Sequence, residues 1–99
     1  MILREIAHSR AGDKGNISTI SVIAYNQQDY DYIRENVTIQ KVTELYRSIG
    51  VTKVERYELP QLSALNFVLY NTLGGGVLRS LAIDSHGKSL SGLMLSMNI

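Results

Sequence analysis

The sequence predicts a two-layer α+β sandwich, a mainly antiparallel sheet with two principal helices on one face. Three observations predict it. The runs "ISTISVIAY" (17–25) and "VTKVERYEL" (51–59) have the length and β-branched, aromatic composition of strands. "VTIQKVTELYRSIG" repeats apolar residues at helical spacing. The C-terminal "LMLSMNI" alternates apolar and polar residues, as a half-buried strand does.

The elements follow in chain order. Residues 1–8 are apolar and β-prone, and 17–25 carries apolar residues on both faces, as a central strand would. The two pair as a hairpin across a long polar connection. "NQQDYDYIREN" suits a short helical turn, with Asp29 and Asp31 near its start. In the next helix Thr38 caps the N-terminus, Ile39, Val42, Leu45/Tyr46 and Ile49 form the apolar stripe, and Gly50 supplies the left-handed stop. Lys53, Glu55, Arg56 and Glu58 mark the following strand as an edge, ended by Pro60. "QLSALNFVLYNTLGGG" spaces Leu62, Leu65, Val68/Leu69 and Leu73 as a second helix. "VLRSLAID" reads as a strand, Asp84–Gly87 as a turn, and "SLSGLMLSMNI" as the last strand, with Leu93, Leu95, Met97 and Ile99 on one face. The order β-β-α-α-β-α-β-β fits a ferredoxin-like arrangement or a variant of it.

Length and composition bound the function. Ninety-nine residues make one domain, spanning 1–99, with one modest core. Ten basic residues face nine acidic ones, and no basic run appears, which argues against a nucleic-acid partner. The chain has no cysteine, so disulfides, thiolate metal sites and cysteine nucleophiles are excluded. No apolar run approaches the ~20 residues of a membrane span, and "MILREIAHSR" has no signal-peptide core. A cytoplasmic protein without membrane attachment is the expectation. No metal site is expected: only His8 and His86 are present, and Asp13, Glu58 and Asp84 have no diagnostic spacing. No cofactor is expected either.

"HSRAGDKGN" (8–16) is the most informative stretch. Gly12 and Gly15 allow backbone conformations that let N–H groups converge. Arg10 and Lys14 add positive charge, Ser9 and Asn16 add neutral hydrogen-bonding groups, and Asp13 either braces the loop or acts as a base. This would cradle a carboxylate or phosphate; the same residues also build ordinary turns. The spacing is not that of a Walker motif. Gly74, Gly75 and Gly76 serve either a helix stop or close approach of a partner or ligand. Asn66, amid "ALNFVLY", either ties its element to the loop or faces solvent. Arg79 reads as a salt-bridge partner or a ligand contact. Asp13, Lys14 and His8 are the acid–base candidates. The neighbouring Asp84, Ser85 and His86 are turn residues, not a triad. Tyr25, Tyr30 and Tyr32 read as a recognition patch or as a cover over the core.

Two signatures, "AGDKGN" and "ALNFVL…LGGGV.RSL", followed by "GKSL" and a short hydrophobic tail, resemble the small C-terminal domain of acyclic terpene utilisation protein A and its stand-alone relatives. The likeness covers nearly the whole chain; "QQDYDYIRENVTIQKV" shows no match. The resemblance implies a ferredoxin-like fold and association with a larger protein of the same family. It places such proteins in the catabolism of branched or hydroxy acids and their acyl-CoA thioesters. The first expectation is therefore an accessory subunit or domain that docks on that partner and helps complete a site for an organic acid or acyl-CoA. The alternatives are a small acid–base enzyme (hydratase, lyase or isomerase) and a structural homo-oligomerisation domain.

Overall fold

The computed structural model describes residues 1–47, 50–71 and 89–99. The expectations for Gly74, Gly75, Gly76, Arg79, the strand 77–84 and the turn at Asp84–Gly87 lie outside the described residues.

Among the described residues four strands form the sheet: β1 (Ala7–Lys14), β2 (Ile17–Ala24), β3 (Lys53–Leu59) and β4 (Ala64–Tyr70). Their spatial order is β1-β2-β4-β3, with every neighbouring pair antiparallel. The helices are α1 (Tyr30–Asn36), α2 (Ile39–Arg47) and α3 (Ser89–Leu95). β2 and β3 therefore run in the same direction with β4 between them, joined by α1 and α2. This is the split β-α-β unit of ferredoxin-like folds. Moving β1 from the front of the chain to its end would turn the described order into β-α-β-β-α-β.

Alternation sets the two faces. Along β2, Ser18, Ile20, Val22 and Ala24 are buried while Ile17 and Thr19 are exposed. Ile20 pairs with Phe67 and Val22 with Leu65, so the buried residues of β2 and β4 share one face. Val54 of β3 and Ala7 of β1 extend it. The helices lay Tyr30, Ile33, Val42, Tyr46 and Met94 on that face. The Tyr46 hydroxyl, deep between α2 and α3, donates to the Leu90 carbonyl, and burial pushes its pKa up.

The two-layer class holds, and several elements differ from expectation. Residues 62–71 do not form the predicted helix: 64–70 is β4. Its pattern also has period two, with Leu65, Phe67 and Leu69 buried against half-buried Asn66, Val68 and Tyr70. Leu62 mimicked a helical stripe from the preceding 3-10 turn, Pro60–Leu62. The predicted C-terminal strand is instead α3. Leu90, Met94 and Met97 face the core at helical spacing, Met94 fully buried, and Leu and Met are good helix formers. Only Ile2–Asn98 pairs there, as an isolated bridge. The second principal helix thus comes from the C-terminus. Residues 1–8 are only partly strand, because Leu3–Glu5 is a 3-10 turn.

Other expectations hold. β2 is internal and β3 is an edge. The Thr38 hydroxyl accepts from the Lys41 amide at 3.2 Å, and Gly50 has φ 102°.

Arg56 lies on the helix-covered face of β3, its side chain 18% exposed. Its Nη1 donates to the carbonyls of Arg34 (2.7 Å) and Val37 (3.0 Å), at the end of α1. Its Nη2 meets Glu58 at 3.0 Å. One guanidinium therefore closes the C-terminus of α1 onto the sheet. Arg56→Met is expected to cost about 2 kcal/mol in urea denaturation, and Arg56→Lys to recover only part of it because one ammonium nitrogen cannot serve the two carbonyls and Glu58 as the two guanidinium nitrogens do.

Candidate functional site

The predicted long connection is a strand. Residues 8–14 belong to β1, and only Gly15 and Asn16 form the turn to β2. Gly15 has φ 60° while Asn16 is not left-handed, the signature of a type II′ hairpin turn. Gly12 is an ordinary strand residue opposite Thr19. A converging cradle of N–H groups is therefore not formed by 9–14, whose backbone pairs with β2.

The strand deals the predicted residues to opposite faces. Ser9 lies on the helix-covered side with its hydroxyl buried and unpartnered. His8, Arg10 and Gly12 lie on the open side, where His8 stacks on Tyr25 with ring centroids 5.3 Å apart. Arg10 and Asp13 are both exposed. Three residues apart on one strand, they point to opposite faces and form no ion pair with each other. The tyrosines also separate: Tyr30 is core, the Tyr32 hydroxyl donates to the Ile99 carbonyl at 3.1 Å, and Tyr25 is 62% exposed.

Register orders the open face in rows from β1 to β3. Gly12, Thr19, Val68 and Glu55 form one row. Arg10, Ser21, Asn66 and Tyr57 form the next, entirely of hydrogen-bonding side chains. Asn66 is thus half-buried in the middle of a polar row. At the turn end, a hollow of about 410 Å³ has Gly12, Asp13, Ile17 and Thr19 in its lining.

A clamp closes that end. Asn16 Nδ2 donates to Asn71 Oδ1 at 3.0 Å, and the Asn71 amide donates to the Asn16 carbonyl at 2.9 Å. Asn71 has φ 69°, a left-handed conformation that asparagine tolerates better than most residues. The clamp joins the last residue of "AGDKGN" to the residue that follows "ALNFVLY".

Sequence reasoning missed one cluster. The hydroxyls of Tyr57 and Tyr70 both donate to Glu55 Oε1 at 2.9 Å. Lys53 Nζ lies 3.4 Å from Oε2 and 5.2 Å from the centre of the Tyr70 ring. The two phenols, with lesser help from Lys53, hold the Glu55 carboxyl below its ordinary value. Glu55 in turn raises both tyrosines. Period two across residues 53, 55 and 57 was the available signal; Tyr70 was hidden in the misassigned helix. Among the described residues no three His, Asp or Glu side chains gather as a metal site. No helix among them is long and apolar enough to cross a membrane.

A permuted ferredoxin-like sheet with both signature segments meeting at one end defines the class of domain. The AtuA ferredoxin-like domain model matches residues 1–99, and the chain belongs to that family. Comparison with curated proteins finds no match. Comparison with solved structures finds none either.

Two outcomes are expected. In a double-mutant cycle with Asn16→Ala and Asn71→Gly, which keeps the left-handed backbone, urea denaturation should give a coupling of about 0.5–1 kcal/mol. The folded Glu55 pKa is lowered, so its contribution is present above the ordinary 4.5 and is lost as pH falls through the folded value. The stability difference between wild type and Glu55→Gln should stay constant from neutrality down to that region and shrink below it.

Proposed function

We propose that the chain is an accessory domain that docks on a larger AtuA-type protein and helps complete a binding site for an organic acid or acyl-CoA thioester. The observation that carries this reading is the Asn16–Asn71 clamp beside the turn-end hollow. The clamp brings the β1–β2 hairpin to the root of the segment that bears Gly74–Gly76. In this reading Gly12 and Gly15 keep that end low enough for a ligand chain or partner backbone to approach. Lys14 and Arg79 are the cations of this reading, available to a carboxylate or phosphate, and Asp13 is its bracing or acid–base group. Asn16 and Asn66 supply polar contacts around it.

His8, on the open face and stacked on Tyr25, favours a second reading, a small acid–base enzyme in which Asp13, Lys14 or His8 moves the proton. Purified chain acting alone on acyl-CoA or hydroxy-acid substrates would establish that reading, with loss of activity in Asp13→Ala.

The test of the first reading uses purified chain and the purified larger AtuA-type protein of the same organism. A complex is expected at micromolar concentration by sedimentation. Lys14→Ala/Asp13→Ala should leave the complex intact and abolish substrate turnover by it if the hairpin touches ligand, and should dissociate it if the hairpin touches the partner. Separate sedimentation of the two wild-type proteins, with substrate present, would falsify the docking reading.

A further inference from the structure

At the opposite end of the open face from the clamp, large apolar side chains reach solvent together. Tyr25 is 62% exposed and Leu62 65%. Tyr57 is 50% exposed and Leu59 37%. Topology makes them neighbours. Tyr57 and Leu59 are alternate residues of β3 on the open face, and Leu62 stands in the hairpin that leads to β4. The Ala24 amide donates to the Ser63 carbonyl at 2.9 Å, which brings the end of β2 and Tyr25 to that hairpin. Tyr25 is already fixed by its stack on His8. Four exposed side chains at one end of one face, two of them tyrosines, have the composition of an interface core, and a ring that is already stacked loses little freedom on binding.

Charge identifies what fits it. Arg10, exposed on the same face, pairs with no carboxylate among the described residues. The one carboxylate that register puts on this face among the described residues, Glu55, is held by two tyrosine hydroxyls and by Lys53. A second copy of the chain, meeting the patch face to face, would bring Arg10 against a surface whose acid is already engaged. The complementary occupant is a different protein surface that offers an apolar hollow and a carboxylate.

We infer that Tyr25, Tyr57, Leu59 and Leu62 are the apolar anchor by which this domain seats on a hetero-partner, with Arg10 paired to an acidic residue of that partner. The inference rests on the docking reading above and assigns its surface: the anchor lies at one end of the open face, and the hollow and clamp are left at the other.

Sedimentation and calorimetric titration with the purified larger AtuA-type protein test it. Leu62→Asp and Tyr25→Ser alter solvent-exposed side chains, so both should melt with the wild type, and each should weaken binding by about tenfold or more. Arg10→Glu should weaken it as well, and the wild-type affinity should fall with added salt by more than that of Arg10→Glu. Glu44→Gln, on the exposed side of α2, should bind as the wild type does. Wild-type binding that Leu62→Asp and Tyr25→Ser leave unchanged overturns this surface while the docking reading stands. No binding by the wild type overturns both. Wild-type self-association at micromolar concentration that Leu62→Asp abolishes overturns it in favour of a homodimer.

Discussion

The pairing of β2 with β4 is the constraint on which the rest depends. Ile20 opposite Phe67 and Val22 opposite Leu65 place the largest central side chains on the helix-covered face. Side chains alternate with period two, so a slip of one residue in β4 would turn Asn66, Val68 and Tyr70 into the core and expose Leu65, Phe67 and Leu69. It would also take Tyr70 away from Glu55. One register therefore fixes both the core and the open face. The outer strands add little to that decision. β1 lays only Ala7 fully into the core, and β3 only Val54.

The same register makes the clamp. Ile17 pairs with Tyr70, so the next residues outward, Asn16 and Asn71, stand opposite each other beyond the last ladder pair. Two asparagines there replace a ladder rung with one side-chain and one backbone hydrogen bond. Asparagine at 71 serves twice, as acceptor for Asn16 and as a residue that tolerates φ 69°. The two recognisable stretches of the sequence are therefore physically linked although they are far apart in the chain.

The sequence made the layer class, the central β2, the edge β3 and the capped helix α2 legible because each rests on local rules: composition, spacing, a Thr38 cap, a Gly50 stop. It hid β4 and α3 because both stretches carry two periods at once. In "ALNFVLY" the leucines satisfy helical spacing as well as alternation, and only long-range pairing with β2 selects the strand. In "SLSGLMLSMNI" the alternation of Leu93, Leu95 and Met97 is real, but Met94 against the core from a helix buries more than a lone strand beyond the sheet would. The site was legible in part. The importance of Asn16 and Gly15 was readable from turn chemistry. The sorting of Ser9 and Arg10 to opposite faces was not, because it required knowing that the run is a strand. The Glu55 cluster was out of reach once Tyr70 had been assigned to a helix.

The open face divides its labour along the strands. Toward the Gly15 turn, Gly12 and the small side chain of Thr19 leave a hollow, and the polar atoms nearby are satisfied within the domain by Asn16, Asn71 and Tyr70. Toward the Pro60 hairpin the side chains are large, apolar and exposed, and they satisfy nothing. A surface that spends its hydrogen bonds at one end and leaves Tyr25, Leu59 and Leu62 in water at the other is poorly explained by folding alone, since none of these three contributes to the buried core. That contrast is why the proposed ligand contacts belong to the clamped end and the proposed partner contacts to the other.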